Sequence, residues 1–172
     1  MSASALAAAA VSPSADAPVS APPAASTSPL TAMALPTHAA FAAIALAAVS
    51  WDGMLSMAGS RALRHALDYR EPYRHLGDAA MVELMNDLLG QLRQKGAQHL
   101  MVEAAEALSA PQRATAYAVA AEIMRSDGPL QDDERNILTN LAGTLELELA
   151  FTDRVQGVMD LLHADVLTAP AD

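Results

Sequence analysis

Between Thr37 and Ser50 the chain reads THAAFAAIALAAVS, with no charged residue and alanine at half of the positions. A helix that is apolar on every side is a buried one, so this stretch predicts a helix almost fully enclosed by protein. The apolar run 39–49 is too short to cross a membrane, which needs about 20 residues. The rest of the composition agrees with helices. Apolar residues make up 52%, but aromatics only 3%, so the core is built from Ala, Leu, Met, Ile and Val. β-Branched and aromatic residues are too scarce for a sheet. A chain of 172 residues suits one domain whose core needs no staples. The absence of cysteine excludes disulfides, thiolate catalysis, cysteine-ligated iron–sulfur clusters and zinc fingers.

Charge narrows the function classes. The net charge is −10, with Lys95 the single lysine. Phosphate backbones need clustered cations, so nucleic acid is a poor partner, and anionic lipid is as poor. Divalent cations and basic protein surfaces fit this field better.

Residues 1–36 are an Ala/Ser/Pro-rich tail of low complexity. Such a segment cannot bury enough distinct apolar surface to offset its ordering entropy, and it is expected to be disordered and dispensable for folding. The apolar stretch Ala5–Val11 offers a signal peptide as the competing reading, but the first Lys or Arg is Arg61, so the cationic start of such a signal is missing. The expected location is cytoplasmic, without membrane insertion. Helical patterning occupies 37–164, followed by a flexible terminus over 165–172. The predicted helices span 37–50, 57–69, 78–95, 97–108, 111–126, 131–144 and 149–163. Pro72 stops the second, Asp78 caps the third, Gly96 ends it, and Pro111 opens the fifth at a first-turn position. Ala114, Tyr117, Ala118, Ala121 and Met124 mark an apolar face of the fifth helix. The fold class is therefore all-α, a compact bundle with short connections between antiparallel neighbours.

The two halves of this region resemble each other. Ala48-Val49-Ser50-Trp51-Asp52-Gly53-Met54-Leu55 matches Ile123-Met124-Arg125-Ser126-Asp127-Gly128-Pro129-Leu130. Ala45 falls against Ala120, and Leu63 against Leu138. Each half is a buried helix, an Asp-Gly turn, a leucine, and a new helix. Glycine supplies the left-handed conformation that ends the first helix, and the leucine is read as a hydrophobic staple for the second.

The second turn continues to Glu134 as Asp-Gly-x-Leu-x-x-x-Glu, the spacing of the latter part of an EF-hand loop. A full loop also needs oxygen ligands at the positions of Ile123 and Arg125, which rules out a standard calcium EF-hand. What remains is half a site, with Asp132 and Asp133 nearby. Glu134 shares a helical face with Leu138, Leu141 and Leu145. A carboxylate on an apolar face needs a partner. Either backbone N–H groups at the helix start supply it, or a metal held with Asp127 and an acid from the other half.

The Ile123–Glu134 segment, the following Ile137-Leu138-x-x-Leu141-Ala142-x-x-Leu145 and the preceding Gln112-Arg113-Ala114-x-Ala116-x-Ala118-x-Ala120 together resemble the TerB domain of tellurite-resistance operons. The resemblance covers about residues 37–164 and is more specific in the second half. It implies a bundle of about seven helices built from two pseudo-repeats. It also implies an acidic surface that binds metal or partner proteins, carried here by Asp52, Asp127 and Glu134. One departure stands out. The first repeat should carry a Glu seven residues after Asp52, and Gly59 occupies that position. Trp51 beside the first turn is either a core or turn-packing residue or part of a contact surface.

Other constellations are less specific. His99, Glu103 and Glu106 share a face of the fourth helix and read as a solvated stripe or a metal face. Asp160-Leu-Leu-His163 is a single acid-x-x-His pair, whereas a di-iron bundle needs two. Arg61, Arg64, Arg70, Arg74 and His75 form a locally basic strip, able to dock an acidic partner or simply solvated. No phosphate loop or nucleophile elbow is present. The expected function is a non-enzymatic protein-interaction module of a stress-response system, with membrane-embedded or calcium-binding stress proteins as the implied partners. The alternative is a weak divalent-metal sensor using the acidic turns.

Overall fold

The computed structural model describes residues 34–126 and 128–165. These form seven α-helices: α1 (Thr37–Val49), α2 (Met57–Asp68), α3 (Asp78–Lys95), α4 (Ala97–Glu106), α5 (Ala110–Ile123), α6 (Asp132–Thr144) and α7 (Leu149–Leu162). A short 3₁₀ turn, Tyr73–His75, joins α2 to α3. There is no strand among the described residues, and none of their helices is long and apolar enough to cross a membrane.

The alanine-rich helix is the axis of the bundle. Every residue from Ala39 to Ala48 is buried, and α1 touches α2, α3, α4, α5 and α6. Alanine allows this, because small side chains let five neighbours approach one helix closely. Larger apolar residues from the surrounding helices fill the spaces: Leu63 and Leu67 of α2, Leu88 and Leu92 of α3, Leu100 and Met101 of α4, and Leu138 and Leu141 of α6. Leu35 is also buried in this core, so packing reaches at least two residues ahead of α1, inside the segment whose sequence reads as tail. The remainder of that tail, 1–33, lies outside the described residues.

Three local expectations are revised. The fifth helix buries Ala116, Val119, Ala120 and Ile123 as well as Tyr117, Ala121 and Met124, while Ala114 and Ala118 are only half-buried. A single stripe was too narrow because α5 is flanked by α1, α2, α6 and α7. Asp78 does not cap α3; it is the first helical residue, with Gly77 at the cap position. The turn leucines do not act as staples either. The staple partners fall at Ser60 and Arg135, both polar and exposed, whereas Leu55 and Leu130 turn into the core.

Helix α7 is attached differently from the rest. Its only fully buried residue is Thr152, with Phe151, Val155 and Met159 packing partway onto the core. A polar clasp supplements this contact. The Arg125 guanidinium, 2% exposed, donates to Asp160 Oδ1 at 2.7 Å, to Gln156 Oε1 at 2.6 Å and to the Ala121 carbonyl at 2.8 Å. Gln156 in turn donates to the Tyr117 hydroxyl at 2.9 Å.

Candidate functional site

The first helix of each half ends ahead of its Asp-Gly pair, at the cap residues Ser50 and Met124, so the glycines shape the turns and do not end the helices as the sequence suggests. Gly53 has φ +83° and Gly128 φ +141°, values that disfavour any side chain. In the first turn, Ser50 is buried and its hydroxyl donates to the Leu46 carbonyl, while Gly53 N–H bonds the Ser50 carbonyl at 2.8 Å. Asp52 stays exposed, and its Oδ1 accepts the Met54 N–H at 2.9 Å. That contact is an Asx turn, a local role that fixes the direction of the chain toward α2.

The second helices begin by different means. Glu134 is the third residue of α6, and its Oε2 accepts the N–H of the cap residue Gln131 at 2.7 Å. This is the backward-reaching half of a capping box, and the acid also suits the positive end of the helix dipole. Gly59 is the third residue of α2, where the N–H of Gly59 is accepted by Ser56 Oγ at 2.9 Å. A Cβ at residue 59 would stand 3.1 Å from that Oγ and 3.6 Å from both Leu55 Cδ1 and Val49 Cβ. The glycine therefore replaces the expected Glu at a buried position where serine already does the capping and Val49 and Leu55 lie close.

Between the first turn and the start of α6 lies a groove of about 740 Å³. Its apolar lining comes from Ala48, Val49, Leu55, Ile123, Met124 and Ile137. Asp52, Asp133 and Glu134 are its charged residues among those described, so every charge lining it is negative. Trp51 lines the groove while 36% exposed, and Met54 is 74% exposed. Trp51 is thus not a core tryptophan; it lines the groove with about a third of its surface exposed.

Of the three acids singled out in the sequence, Asp52 and Glu134 are brought to one groove, and Asp127 lies outside the described residues. Among the described residues, no group of three His, Cys, Asp or Glu side chains is placed to hold a metal ion. Sequence reasoning missed the apolar floor and the exposed methionines. Val49 and Ile137 look like ordinary core positions in the helical pattern, and only the crossing of α1, α2 and α6 reveals that they are half-buried in a groove.

In the other clusters several side chains are paired locally. Glu103 binds Lys95 Nζ at 2.6 Å, and His99 and Glu106 are exposed. In the basic strip, Arg64 pairs with Asp68 and Asp78, and Arg74 and His75 both reach Glu71. Arg70 donates to the Ala66 carbonyl and lies 4.7 Å from the centre of the Tyr69 ring.

Comparison with known protein families, curated sequences and solved structures finds no match for this chain.

Proposed function

We propose that this chain is a non-enzymatic protein-interaction module of a stress-response system, of the kind the TerB resemblance implies for tellurite resistance. The observation that carries the reading is the groove beside the first Asp-Gly turn, with an apolar floor, an exposed tryptophan and an acidic lining. Exposed Trp and Met beside a partly desolvated apolar floor are the composition of protein contact sites. The described lining holds no His, Lys, Arg, Ser-His pair or Tyr that would serve as an acid, base or nucleophile beside these carboxylates. Two further features support the resemblance: α2 and α6 start at corresponding positions, Met57 and Asp132, and each follows an Asp-Gly turn. On this reading the two helix–turn–helix units are pseudo-repeats, and partners of the same systems dock in the cytoplasm.

The test is crosslinking in the native host with a photoreactive residue at Met54, and at the exposed Val102 of α4, outside the groove's lining, as control. Defined protein adducts at Met54 that are absent at Val102 are expected. Adducts at both positions, or at neither, would overturn the reading.

A second reading, a weak divalent-cation sensor using Asp52, Asp127 and Glu134, draws on Asp52 and Glu134 lining one groove. The hydrogen bonds at the helix starts use Asp52 Oδ1 and Glu134 Oε2, and the second oxygen of each carboxylate is where an ion would bind.

A further inference from the structure

We infer that the occupant of this groove is a cationic segment of a partner protein, anchored by a bulky apolar side chain. The inference rests on the interaction reading and names the chemistry of the partner. Three features define it. The floor formed by Val49, Leu55, Ile123 and Ile137 is apolar, and its volume of about 740 Å³ is ample for a large side chain or two. Asp52, Asp133 and Glu134 are all acids, with no compensating cation in the described lining, inside a chain of net charge −10. Trp51 presents a half-open ring beside them, suited to a guanidinium or ammonium stacked on its face. Met54, which lines the groove and is 74% exposed, adds a flexible, polarisable side chain that can mould to an incoming residue.

Sign decides among occupants. Anionic lipid and nucleic acid are repelled by the acids. A second copy brings its own −10 and is repelled as a whole. A segment carrying Lys or Arg next to Leu, Ile or Phe meets both requirements at once. The apolar anchor supplies affinity, and the cations supply approach and orientation.

The chain contains a reporter for this, because Trp51 is its only tryptophan. The experiment titrates the full-length protein with a short amphipathic peptide of leucine and lysine, and with its leucine–glutamate counterpart, while following tryptophan emission. The lysine peptide is expected to shift Trp51 emission to the blue and saturate, and the glutamate peptide to leave it unchanged. Asp52→Asn and Asp133→Asn, both at exposed carboxylates, should each weaken the lysine peptide about threefold at low salt. Met54→Ala should weaken it without affecting stability, since that side chain is mostly in solvent. In the double variant Trp51→Phe, Val102→Trp, the reporter sits on α4, outside the groove's lining, and should not respond. A response there of equal size would mean that the peptide coats the acidic surface, and would overturn the assignment. So would equal binding of the two peptides, or no response to either. If Met54 still crosslinks to protein in any of these cases, the interaction module survives and only its cationic partner falls.

Discussion

Glu134 shows how one residue type in one place supports two chemistries. Its sequence context, an acid on a leucine face after an Asp-Gly turn, is compatible with a cap and with a metal ligand. The hydrogen bond to Gln131 N–H gives it a structural occupation. Glu134→Gln should therefore change stability little, because the amide oxygen still accepts that bond. Glu134→Ala should cost about 1 kcal/mol, the typical value of a lost cap, measured by urea unfolding. Leu141, with no exposed surface, is the contrasting case on the same helix. Leu141→Ala should cost about 2–5 kcal/mol, the transfer of the side chain plus the cavity it leaves. A near-neutral result would remove Leu141 from the core. At this scale the buried leucines 138, 141 and 145 were legible from spacing alone. Trp51 was not: the general tendency of tryptophan toward burial lost to the geometry of a turn that projects it into an open groove.

Among the elements, α1 was the most legible and α7 the least. A helix without a polar face has one place to go, and α1 goes there. Helix α7 carries apolar residues on several sides, and the helical pattern does not say which side is covered. Phe151, Val155 and Met159 pack on the core, while Leu161 and Leu162 are 79% and 70% exposed. The deciding contact is polar and distant in sequence, from Arg125 to Asp160 and Gln156. In the sequence, Arg125 stands out only as a residue unable to ligate calcium in an EF-hand loop. The clasp makes an asymmetric prediction. Asp160 is 63% exposed and can rehydrate if its partner is removed, whereas the Arg125 side chain, at 2%, cannot. Asp160→Ala should therefore cost about 2 kcal/mol, as for a hydrogen bond to a charged group left unmade in a buried site. Arg125→Met should cost less, because it removes the buried charge and keeps the volume. Thermal unfolding of the two variants checks the order, and amide exchange should show the Asp160 variant opening first along α7.

The whole molecule couples its core to pH through two tyrosines. Burial pushes the phenol pKa of both Tyr73 and Tyr117 up, and Tyr73 donates to the His38 carbonyl while Tyr117 accepts from Gln156. In the unfolded chain a tyrosine ionises near pH 10. The folded state holds these protons more tightly, so their contribution is fully present below about pH 10 and is lost as pH rises through the raised folded values. Alkaline unfolding followed by circular dichroism should coincide with phenolate absorbance, and Tyr73→Phe should move the transition to higher pH. The bundle, its helix count and its buried axis were readable before any coordinates, because periodicity and composition act locally. The groove was not, since it arises where α1, α2 and α6 meet, and such crossings leave no mark in a single stretch of sequence. Its function turns on whether the acids there serve helix starts and a partner's charge, or an ion. Thermal unfolding of the wild type and of Glu134→Gln in millimolar Ca²⁺ and Mg²⁺ tests this directly. The same melting temperature with and without either ion is expected in both proteins. A rise in the wild type that grows with ion concentration and disappears in Glu134→Gln would contradict it and establish the groove as a cation site.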